Sequence, residues 1–172
     1  MRSGGLPARV ARSRHDRLTR IPVEGGNALV HWREIKPLHV ITRNYALVAA
    51  MRHSPSLRLK NWVFRRLGME VGPGVRFALE STPDVFFPEL ITLERDAIVG
   101  YDATLLCHEF LQKEYRTGPI HVGEGAMIGA GAIVLPGVHI GAGAQIAANS
   151  LVDADVPPET TVAGVPATPV ER

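Results

Sequence analysis

The sequence predicts an all-β fold, a parallel β-helix, with a short helical segment in front of it. Aliphatic residues recur every six residues, at Val122, Ile128, Val134, Ile140, Ile146 and Val152. A second set, mostly small, stands two places before the next aliphatic residue, at Ala126, Ala132, Val138, Ala144 and Ser150. Glycines and the pair Pro136-Gly137 lie between them, where tight corners are needed. Such a six-residue repeat is typical of a parallel β-helix, in which each hexad forms one short strand and one corner.

Three hexads close one triangular coil, so equivalent positions lie about eighteen residues apart. Successive coils stack at the ordinary strand spacing of about 4.8 Å. The aliphatic residue of each hexad then fills the interior, and the small residue leaves room beside it.

The same repeat continues towards the N-terminus with less regularity. Leu93, Val99 and Leu105 keep the six-residue step, and Ile91, Ala97 and Ala103 precede them by two places. Phe87 with Val85 fits the same phase, whereas Phe77 with Val75 and Val71 with Met69 form a block offset by two residues. We therefore expect the coil to begin near Val71 and the β-helix domain to occupy residues 70–172.

Residues 31–69 are predicted to form a helical N-terminal segment. Apolar residues return at helical intervals at Trp32, Ile35, Leu38, Tyr45, Val48 and Met51, and Pro37 divides or begins that helix. Ser54-Pro55 suits the start of a second helix that Gly68 can end. Its apolar stripe is Leu59, Trp62, Val63 and Leu67, with Arg58, Lys60, Arg65 and Arg66 in solvent. We expect these helices to cover the open edge of the first coil.

Positive charge is concentrated in the first part of the chain. Residues 1–70 carry roughly ten excess positive charges and the remainder roughly eight excess negative ones. Residues 1–30 are rich in arginine, glycine and proline and lack periodicity. They are predicted to form a flexible basic arm that could contact anionic surfaces, without specific nucleic-acid binding.

Composition excludes several classes of protein. The single cysteine, Cys107, rules out an intrachain disulfide framework and suits a reducing compartment. No apolar run reaches about eighteen residues, so no transmembrane helix is expected. The N-terminal residues lack the apolar core of a secretory signal, while their arginine-rich composition leaves a transit peptide open. The sequence thus favours a cytoplasmic protein.

The repeat is interrupted between Leu105 and Val122, a step that the hexad pattern does not explain. The polar segment 111–118 is predicted to be a loop that leaves the coil. The sequence leaves open whether this loop replaces two strands or is inserted between two hexads. Interruptions of a regular scaffold commonly carry function.

His108 is the leading catalytic candidate because it stands at the root of that loop. Strand alternation places Leu105 and Cys107 inward and His108 outward. A neutral imidazole can accept a proton at cellular pH, and Glu109 or a backbone carbonyl could fix its tautomer. Cys107 is interpreted as a packing residue rather than a nucleophile, since its predicted inward position denies it access.

The C-terminal motifs resemble those of a known family. They are Ile120-His121-Val122-Gly123, Ile128-Gly129-Ala130-Gly131-Ala132, Val134-Leu135-Pro136-Gly137-Val138-His139-Ile140-Gly141, Ser150-Leu151-Val152, Asp155-Val156-Pro157-Pro158 and Val162-Ala163-Gly164-Val165-Pro166-Ala167. Over about residues 70–170, the chain resembles the hexapeptide-repeat acyltransferases. Within them it is most similar to the maltose, galactoside and xenobiotic acetyltransferase group.

This resemblance implies a homotrimer of left-handed β-helices, with each active site in a cleft between two subunits. Acetyl-CoA would be the co-substrate, with no metal, and Ala130 and Ala148 would line its pantetheine arm. His108, assisted by Glu109, would be the general base. It would deprotonate a hydroxyl or amine of a small acceptor, a sugar in the first instance, for direct attack on the thioester.

The chain departs from relatives where their cations would approach the CoA phosphates. Relatives commonly show Thr-Lys-Asp-Val-Pro where this chain has Asp153-Ala154-Asp155-Val156-Pro157, and a basic residue where it has Thr168. Like-charge repulsion from Asp153 and Asp155 would weaken CoA binding. Lys113, Arg116 or Arg172 are candidates to compensate.

Two other functions remain open. His121 and His139 are about eighteen residues apart, and with His108 they could form a zinc site between subunits, as in proteins that resemble γ-class carbonic anhydrases. Alternatively, a non-catalytic trimeric scaffold could present its basic arm to lipid or nucleic acid. The first function predicts bound metal. The second predicts salt-sensitive retention on anionic vesicles or nucleic acid.

Overall fold

Four stacked triangular coils and part of a fifth form the chain from residue 70 onward in the computed structural model, which describes residues 13–170. Each coil gives one strand to each of three parallel sheets. The first sheet contains β2 (Glu70–Val71), β5 (Ile91–Leu93), β10 (Ile120–Val122) and β13 (His139–Ile140). The second contains β3 (Arg76–Phe77), β6 (Ile98–Val99), β11 (Met127–Ile128), β14 (Gln145–Ile146) and β16 (Thr161–Ala163), with β17 (Thr168–Pro169) added antiparallel. The third contains β4 (Thr82–Pro83), β7 (Thr104–Leu105), β12 (Ile133–Val134) and β15 (Leu151–Val152).

The hexad pattern correctly predicted the interior. Every aliphatic position from Val122 to Val152 is buried, and so are the residues two places before them. Upstream, Leu93, Val99 and Leu105 are buried as well. The placement of Phe87 in this series is wrong. The inward residue of that strand is Pro83, which pairs in register with Leu105, because residues 84–90 leave the coil.

Two corners of the triangle repeat one tight turn in every coil. At the corner between the second and third sheets, the residue that turns the chain has a positive φ in each coil, at Glu80, Asp102, Gly131 and Asn149. Hydrogen bonds join these turns into a ladder, for example from the Asn149 amide to the Ala130 carbonyl at 2.8 Å. This regularity leaves the third corner as the place where the chain can depart from the repeat.

Both insertions lie at the third corner, between the third and first sheets. Residues 84–90 connect β4 to β5 and contain a 3₁₀ turn at Pro88–Leu90. One coil further on, residues 106–119 connect β7 to β10 and form a hairpin of β8 (His108–Phe110) and β9 (Glu114–Thr117). Since β7 and β10 occupy their regular places in the third and first sheets, the hairpin is inserted and replaces no strand.

The N-terminal residues 13–22, called the strap here, cross the third corner and extend the hairpin. A 3₁₀ turn at Arg14–Arg17 is followed by β1 (Thr19–Pro22), which pairs antiparallel with β9. The side chain of Arg14 is buried, and its Nη1 donates to the Pro136 carbonyl at 3.0 Å. The prediction of a flexible arm is therefore wrong for the strap. Residues 23–30 are also bonded to the hairpin, since the amides of Val23 and Ala28 donate to the carbonyls of Lys113 and Leu111, both at 2.9 Å. The remaining part of that prediction, for residues 1–12, lies outside the described residues.

Three helices follow, preceded by a 3₁₀ turn at Ala28–His31. They are α1 (Trp32–Ile35), α2 (Leu38–His53) and α3 (Leu57–Arg66). Pro37 divides the first two, as one of its two predicted roles required. The N-cap of α3 is Ser56 rather than Ser54, since the Ser56 side chain accepts from the Leu59 amide. Gly68 follows the end of α3 with a φ of 102°, as a helix-ending glycine should.

Helices α2 and α3 cover the first coil because that coil exposes unpaired carbonyls. Along the strands, amides of each coil donate to carbonyls of the next coil, as from Gly72 to Leu93 and from Glu94 to Val122, both at 2.8 Å. Carbonyls on the open edge of the first coil have no preceding coil to donate to them, and side chains of the helices donate instead. The donors are Asn44 to Val85, Arg52 to Glu80, Lys60 to Ala78, Asn61 to Val75 and Arg65 to Val71.

This polar cap corrects the predicted orientation of α3. Lys60 was expected in solvent but is buried, and burial lowers the pKa of its ammonium while the charge of Glu80 acts in the opposite direction. Conversely, Leu59 and Trp62 were expected inside and point outward, with Trp62 56% exposed. Phe64 packs on Phe77 in their place, with ring centroids 4.7 Å apart. Among residues 13–170, no helix has both the length and the apolarity needed to cross a bilayer.

Replacing Asn44 by Ala should destabilise the cap. Asn44 is buried and its Nδ2 donates to the Val85 carbonyl at 3.0 Å. We expect the free energy of unfolding to fall by about 1–3 kcal/mol, since a buried carbonyl loses its donor. Thr42→Ala, on the exposed face of the same helix, is the control and should change it by less than about 0.5 kcal/mol. Urea denaturation measures both, and equal losses would contradict the capping role.

Candidate active site

His108 begins β8 at the root of the hairpin, as the repeat interruption suggested. Its side chain is 14% exposed, so the ring is largely enclosed but reachable. The imidazole Nδ1 lies 2.6 Å from Oδ2 of Asp84. Asp84 follows β4, one coil earlier at the same corner, and so the two insertions meet at this pair.

Asp84 is buried and acts only as a hydrogen-bond acceptor. Its Oδ1 accepts from the amides of Phe86 and Phe87 at 2.7 and 2.9 Å. Its Oδ2 accepts from the Cys107 amide at 2.6 Å and from His108. Because a carboxylate has no proton to offer, Nδ1 of His108 carries the hydrogen, and Nε2 is left with a lone pair. The pair therefore has the form of an oriented general base.

Aromatic rings surround the imidazole of His108. The centroids of Phe86 and Phe110 lie 4.8 and 4.9 Å from that of His108, and Phe87 lies 6.1 Å away. Trp32 extends the cluster through an edge contact with Phe86 at 6.4 Å. Three separate segments thus contribute to one apolar wall around the base.

Glu109 does not orient His108, and the prediction that it or a backbone carbonyl would do so is wrong. Asp84 already occupies Nδ1. Glu109 instead forms an ion pair with Arg14 of the strap, with 3.6 Å between Oε2 and Nη2. Both side chains are mostly enclosed, so this pair fastens the strap to the hairpin that carries His108.

Cys107 is a packing residue, as predicted. Its side chain is fully buried. Burial raises the pKa of the Cys107 thiol far above its usual value, and the negative charge of Asp84 adds to this effect. The thiol is thus kept protonated and inaccessible, which removes it as a nucleophile.

His121 and His139 occupy equivalent places on successive coils of the first sheet, as their spacing predicted. They pair in register, and their ring centroids are 4.5 Å apart. Nε2 of His121 lies 3.1 Å from Oε1 of Glu94. Burial, with the adjacent His121, lowers the pKa of His139, although Asp155 and Glu94 act against this. Across residues 13–170, no three His, Cys, Asp or Glu side chains are grouped so that they could hold a metal ion.

Ala130 and Ala148 lie together at a corner that His108 does not share. Both are exposed on the ladder between the second and third sheets, whereas His108 stands between the third and first. Backbones approach closely there, since a Cβ on Gly129 would come within 2.7 Å of the Ala148 nitrogen. Within one chain, the candidate base and the candidate cofactor residues are therefore on different edges of the prism.

Apolar side chains border the corner of Ala130 and Ala148. Ile98 and Met127 project from the second sheet and Ile133 from the third, all of them exposed. The outward residues of the first sheet are polar by contrast, and include Thr92, His121 and His139. We call the apolar set, Ile98, Met127 and Ile133 with the corner between them, the corner ridge.

Comparison with known proteins agrees with this architecture. The family model described as "Bacterial transferase hexapeptide (six repeats)" matches residues 119–154. A Bacillus subtilis (strain 168) protein named "Putative acetyltransferase YvoF" is 42% identical over 148 residues, which are 86% of this chain and 86% of that protein. The chain belongs to the hexapeptide-repeat acyltransferases.

Solved structures of this superfamily share the fold. The hexapeptide-repeat acetyltransferase VCA0836 of Vibrio cholerae has a TM-score of 0.62 at 21% identity, over 85% of this chain and 94% of that one. A second structure of VCA0836 contains acetyl-coenzyme A and has a TM-score of 0.59 at 20% identity, over 77% and 86% of the two chains. A galactoside acetyltransferase in complex with coenzyme A has a TM-score of 0.57 at 21% identity, over 84% and 90%.

One departure of this acyltransferase from its relatives is offset by the strap. Asp155 was expected to repel CoA phosphates, but it accepts from the guanidinium of Arg17 and from the His139 amide. Its charge is thus compensated at the third corner. Arg116, a candidate replacement cation, is itself paired with Glu114. Arg172 lies outside the described residues.

Asp84 and Arg14 are the site residues of this acyltransferase that the sequence reasoning missed. Asp84 is 24 residues from His108, which is not a multiple of the eighteen-residue coil, so the repeat does not connect them. The only sequence feature that pointed to Asp84 was local. An Asp that follows Thr82-Pro83 can accept hydrogen bonds from the amides two and three residues further on. Arg14 carried no comparable signal, because its partners Glu109 and Pro136 are remote from it in the sequence.

Asp84→Asn should weaken both the fold and the base. Asp84 accepts four hydrogen bonds, two on each carboxylate oxygen. The side chain of Asn has only one oxygen, so its NH₂ group would face two of these donors and leave them unpaired. We expect the free energy of unfolding to fall by about 2–3 kcal/mol.

The control for Asp84→Asn is Asp102→Asn, at an exposed corner whose positive φ asparagine tolerates. It should change stability by less than about 0.5 kcal/mol. Chemical denaturation of both variants measures the difference. A loss at Asp84 no larger than at Asp102 would show that the four contacts do not hold the site.

Proposed function

We propose that the protein is an acetyl-CoA-dependent acetyltransferase that modifies a hydroxyl, or alternatively an amine, of a small acceptor, with a sugar as the favoured class. It would act as a trimer of left-handed β-helices in the cytoplasm. The observation that carries the proposal is the His108 ring, held by buried Asp84 at the only interrupted corner among the described coils. The acetyltransferase name of the Bacillus relative and the CoA-bound structural neighbours support the choice of donor.

The mechanism follows from the orientation of His108. Nε2 takes the proton from the acceptor hydroxyl as its oxygen bonds to the thioester carbonyl carbon. The tetrahedral intermediate collapses with cleavage of the carbon–sulfur bond, and the imidazolium returns the proton to the departing CoA sulfur. Asp84 keeps Nδ1 protonated throughout and compensates the positive charge that the ring gains. No covalent acyl-enzyme is needed, in keeping with the inaccessible Cys107.

The site is completed by a second copy of the chain. His108 and Ala130 lie at different corners, so one protomer cannot bring base and pantetheine together. The corner ridge exposes Ile98, Met127 and Ile133, which is the kind of surface that protein interfaces bury. Packing this ridge against the third corner of a neighbour would place Ala130 of one subunit opposite His108 of the other. Three copies close such a head-to-tail ring.

The aromatic wall supports an acceptor with an apolar face. Phe86 and Phe110 flank the base, so the acceptor must present its nucleophile beside an apolar surface. The C–H face of a pyranose ring meets that demand and carries hydroxyl groups at its edge. Sugars are therefore the first acceptors to test, with amino sugars and aromatic amines next.

Replacing His108 by Ala should remove the general base without disturbing donor binding. We expect kcat to fall about 10²- to 10⁴-fold, the usual contribution of a positioned base, with the KM for acetyl-CoA little changed. Release of CoA thiol across a panel of sugars and amines measures the rate.

The matched control for His108→Ala is His139→Ala, a histidine on the outer face of the first sheet. It should retain most of the activity. If the His108 variant kept more than about a tenth of the wild-type rate, another group would be the base.

Mixed trimers test whether the site is shared. His108→Ala lacks the base, and Ala130→Trp fills the pantetheine corner, so each variant alone should be inactive. In trimers co-assembled from equal amounts, about a quarter of the clefts combine an intact His108 with an intact Ala130, and about a quarter of wild-type activity should return. Mass measurement of the separate variants confirms assembly. Mixed trimers that stay inactive would place the whole site within one subunit.

A further inference from the structure

The outward residues of one corner change abruptly in size along the prism. At the corner between the second and third sheets, each turn contains one residue with a positive φ. The residues directly before it in successive coils are Leu79, Tyr101, Ala130 and Ala148. Carbonyls of this series accept amides of the next coil, from Asp102 to Leu79 at 3.2 Å, from Gly131 to Tyr101 at 2.8 Å and from Asn149 to Ala130 at 2.8 Å. The four side chains thus form one continuous column on the surface.

Tyr101 is the point at which the column changes from small to bulky. It is 56% exposed, and Leu79 beyond it is 44% exposed. Coils are about 4.8 Å apart, so the phenol ring stands one strand spacing beyond Ala130. A thin chain that runs along Ala148 and Ala130 therefore meets the Tyr101 side chain next.

The turn itself does not require this change. The corner between the first and second sheets repeats the same geometry and the same hydrogen-bonded ladder. The corresponding residues there are Pro73, Arg95, Glu124 and Ala142, of which two are charged and none is aromatic. The order of Tyr101 and the two alanines is a property of one corner.

We propose that Tyr101 closes the acyl end of the donor site and restricts the enzyme to short acyl groups. This inference rests on the proposed function, in which the pantetheine arm lies along Ala130 and Ala148. His108 leaves the coil directly after β7, and Tyr101 lies in that same coil between β6 and β7. In a cyclic trimer whose axis follows the prism, the His108 of the partner subunit stands at the height of Tyr101. The thioester must reach that height, and carbons beyond the acetyl methyl then collide with the phenol ring.

Thioether analogues of acyl-CoA test this without knowledge of the acceptor. S-ethyl-CoA and S-hexyl-CoA are titrated by calorimetry into the assembled protein. We expect the wild type to bind the ethyl compound at least about tenfold more tightly than the hexyl compound. Tyr101→Ala should reduce this preference to about twofold or less, since the ring is gone and apolar contacts of the longer chain are gained. Tyr101→Phe keeps the ring and should keep the preference.

Two further variants guard against indirect effects. Tyr101→Leu keeps apolar surface at the corner and should give an intermediate preference, even where Tyr101→Ala fails to assemble. Arg95→Ala removes the side chain at the same height on the other corner and should leave the preference unchanged.

The outcomes separate the inference from the proposed function. If the wild type binds neither analogue nor CoA itself, the proposed function is wrong. If it binds S-ethyl-CoA and S-hexyl-CoA equally, or if Tyr101→Ala retains the full preference, Tyr101 does not limit the acyl chain, while donor binding by this fold stands.

Discussion

The open edge of the first coil is the constraint on which the structure depends. Strand carbonyls on this edge, such as those of Val71 and Val75, have no preceding coil whose amides could donate to them. Buried carbonyls need donors, and donors are abundant in Lys, Arg and Asn side chains. Helices α2 and α3 supply them through the cations Arg52, Lys60 and Arg65 and through the neutral amides of Asn44 and Asn61. The excess positive charge before residue 70 is thereby explained in part as a requirement of the fold and only in part as a surface property.

The same regularity determines where chemistry can take place. Two corners repeat the same turn in every coil, so their backbone has one fixed geometry and only the side chains differ from coil to coil. The third corner admits insertions in two consecutive coils, and the buried carboxylate of Asp84 joins them. A carboxylate out of water is costly unless donors surround it, so the four contacts that make Asp84 tolerable also fix the His108 ring. The same contacts therefore fold this corner and orient the His108 ring.

The sequence predicted what periodicity controls and missed what long-range contacts control. Interior positions such as Ile128 and Leu105, the excursion after Leu105 and the outward His108 all follow from a two- or six-residue period. Lys60 was predicted in solvent because helical patterning assigns only apolar residues to the buried face. In this protein the buried face of α3 meets backbone carbonyls of the first coil, and Lys60 donates to one of them. Asp84 was missed because the insertion at residues 84–90 shifts the register between coils. The strap was missed because its partners, Glu109 and Pro136, are remote in sequence.

In the proposed mechanism, the separation of His108 from the corner of Ala130 and Ala148 gives assembly a catalytic role. A single β-helix is rigid, and its corners cannot approach one another, because the interior between them is filled by close-packed aliphatic side chains. No rearrangement within one chain can therefore bring His108 to Ala130. The strap gives the third corner a defined shape. Its Arg14 forms an ion pair with Glu109 of the hairpin, and its Arg17 compensates the negative charge of Asp155. In the proposed trimer, a neighbouring corner ridge docks against this corner without first ordering it, which lowers the entropic cost of association.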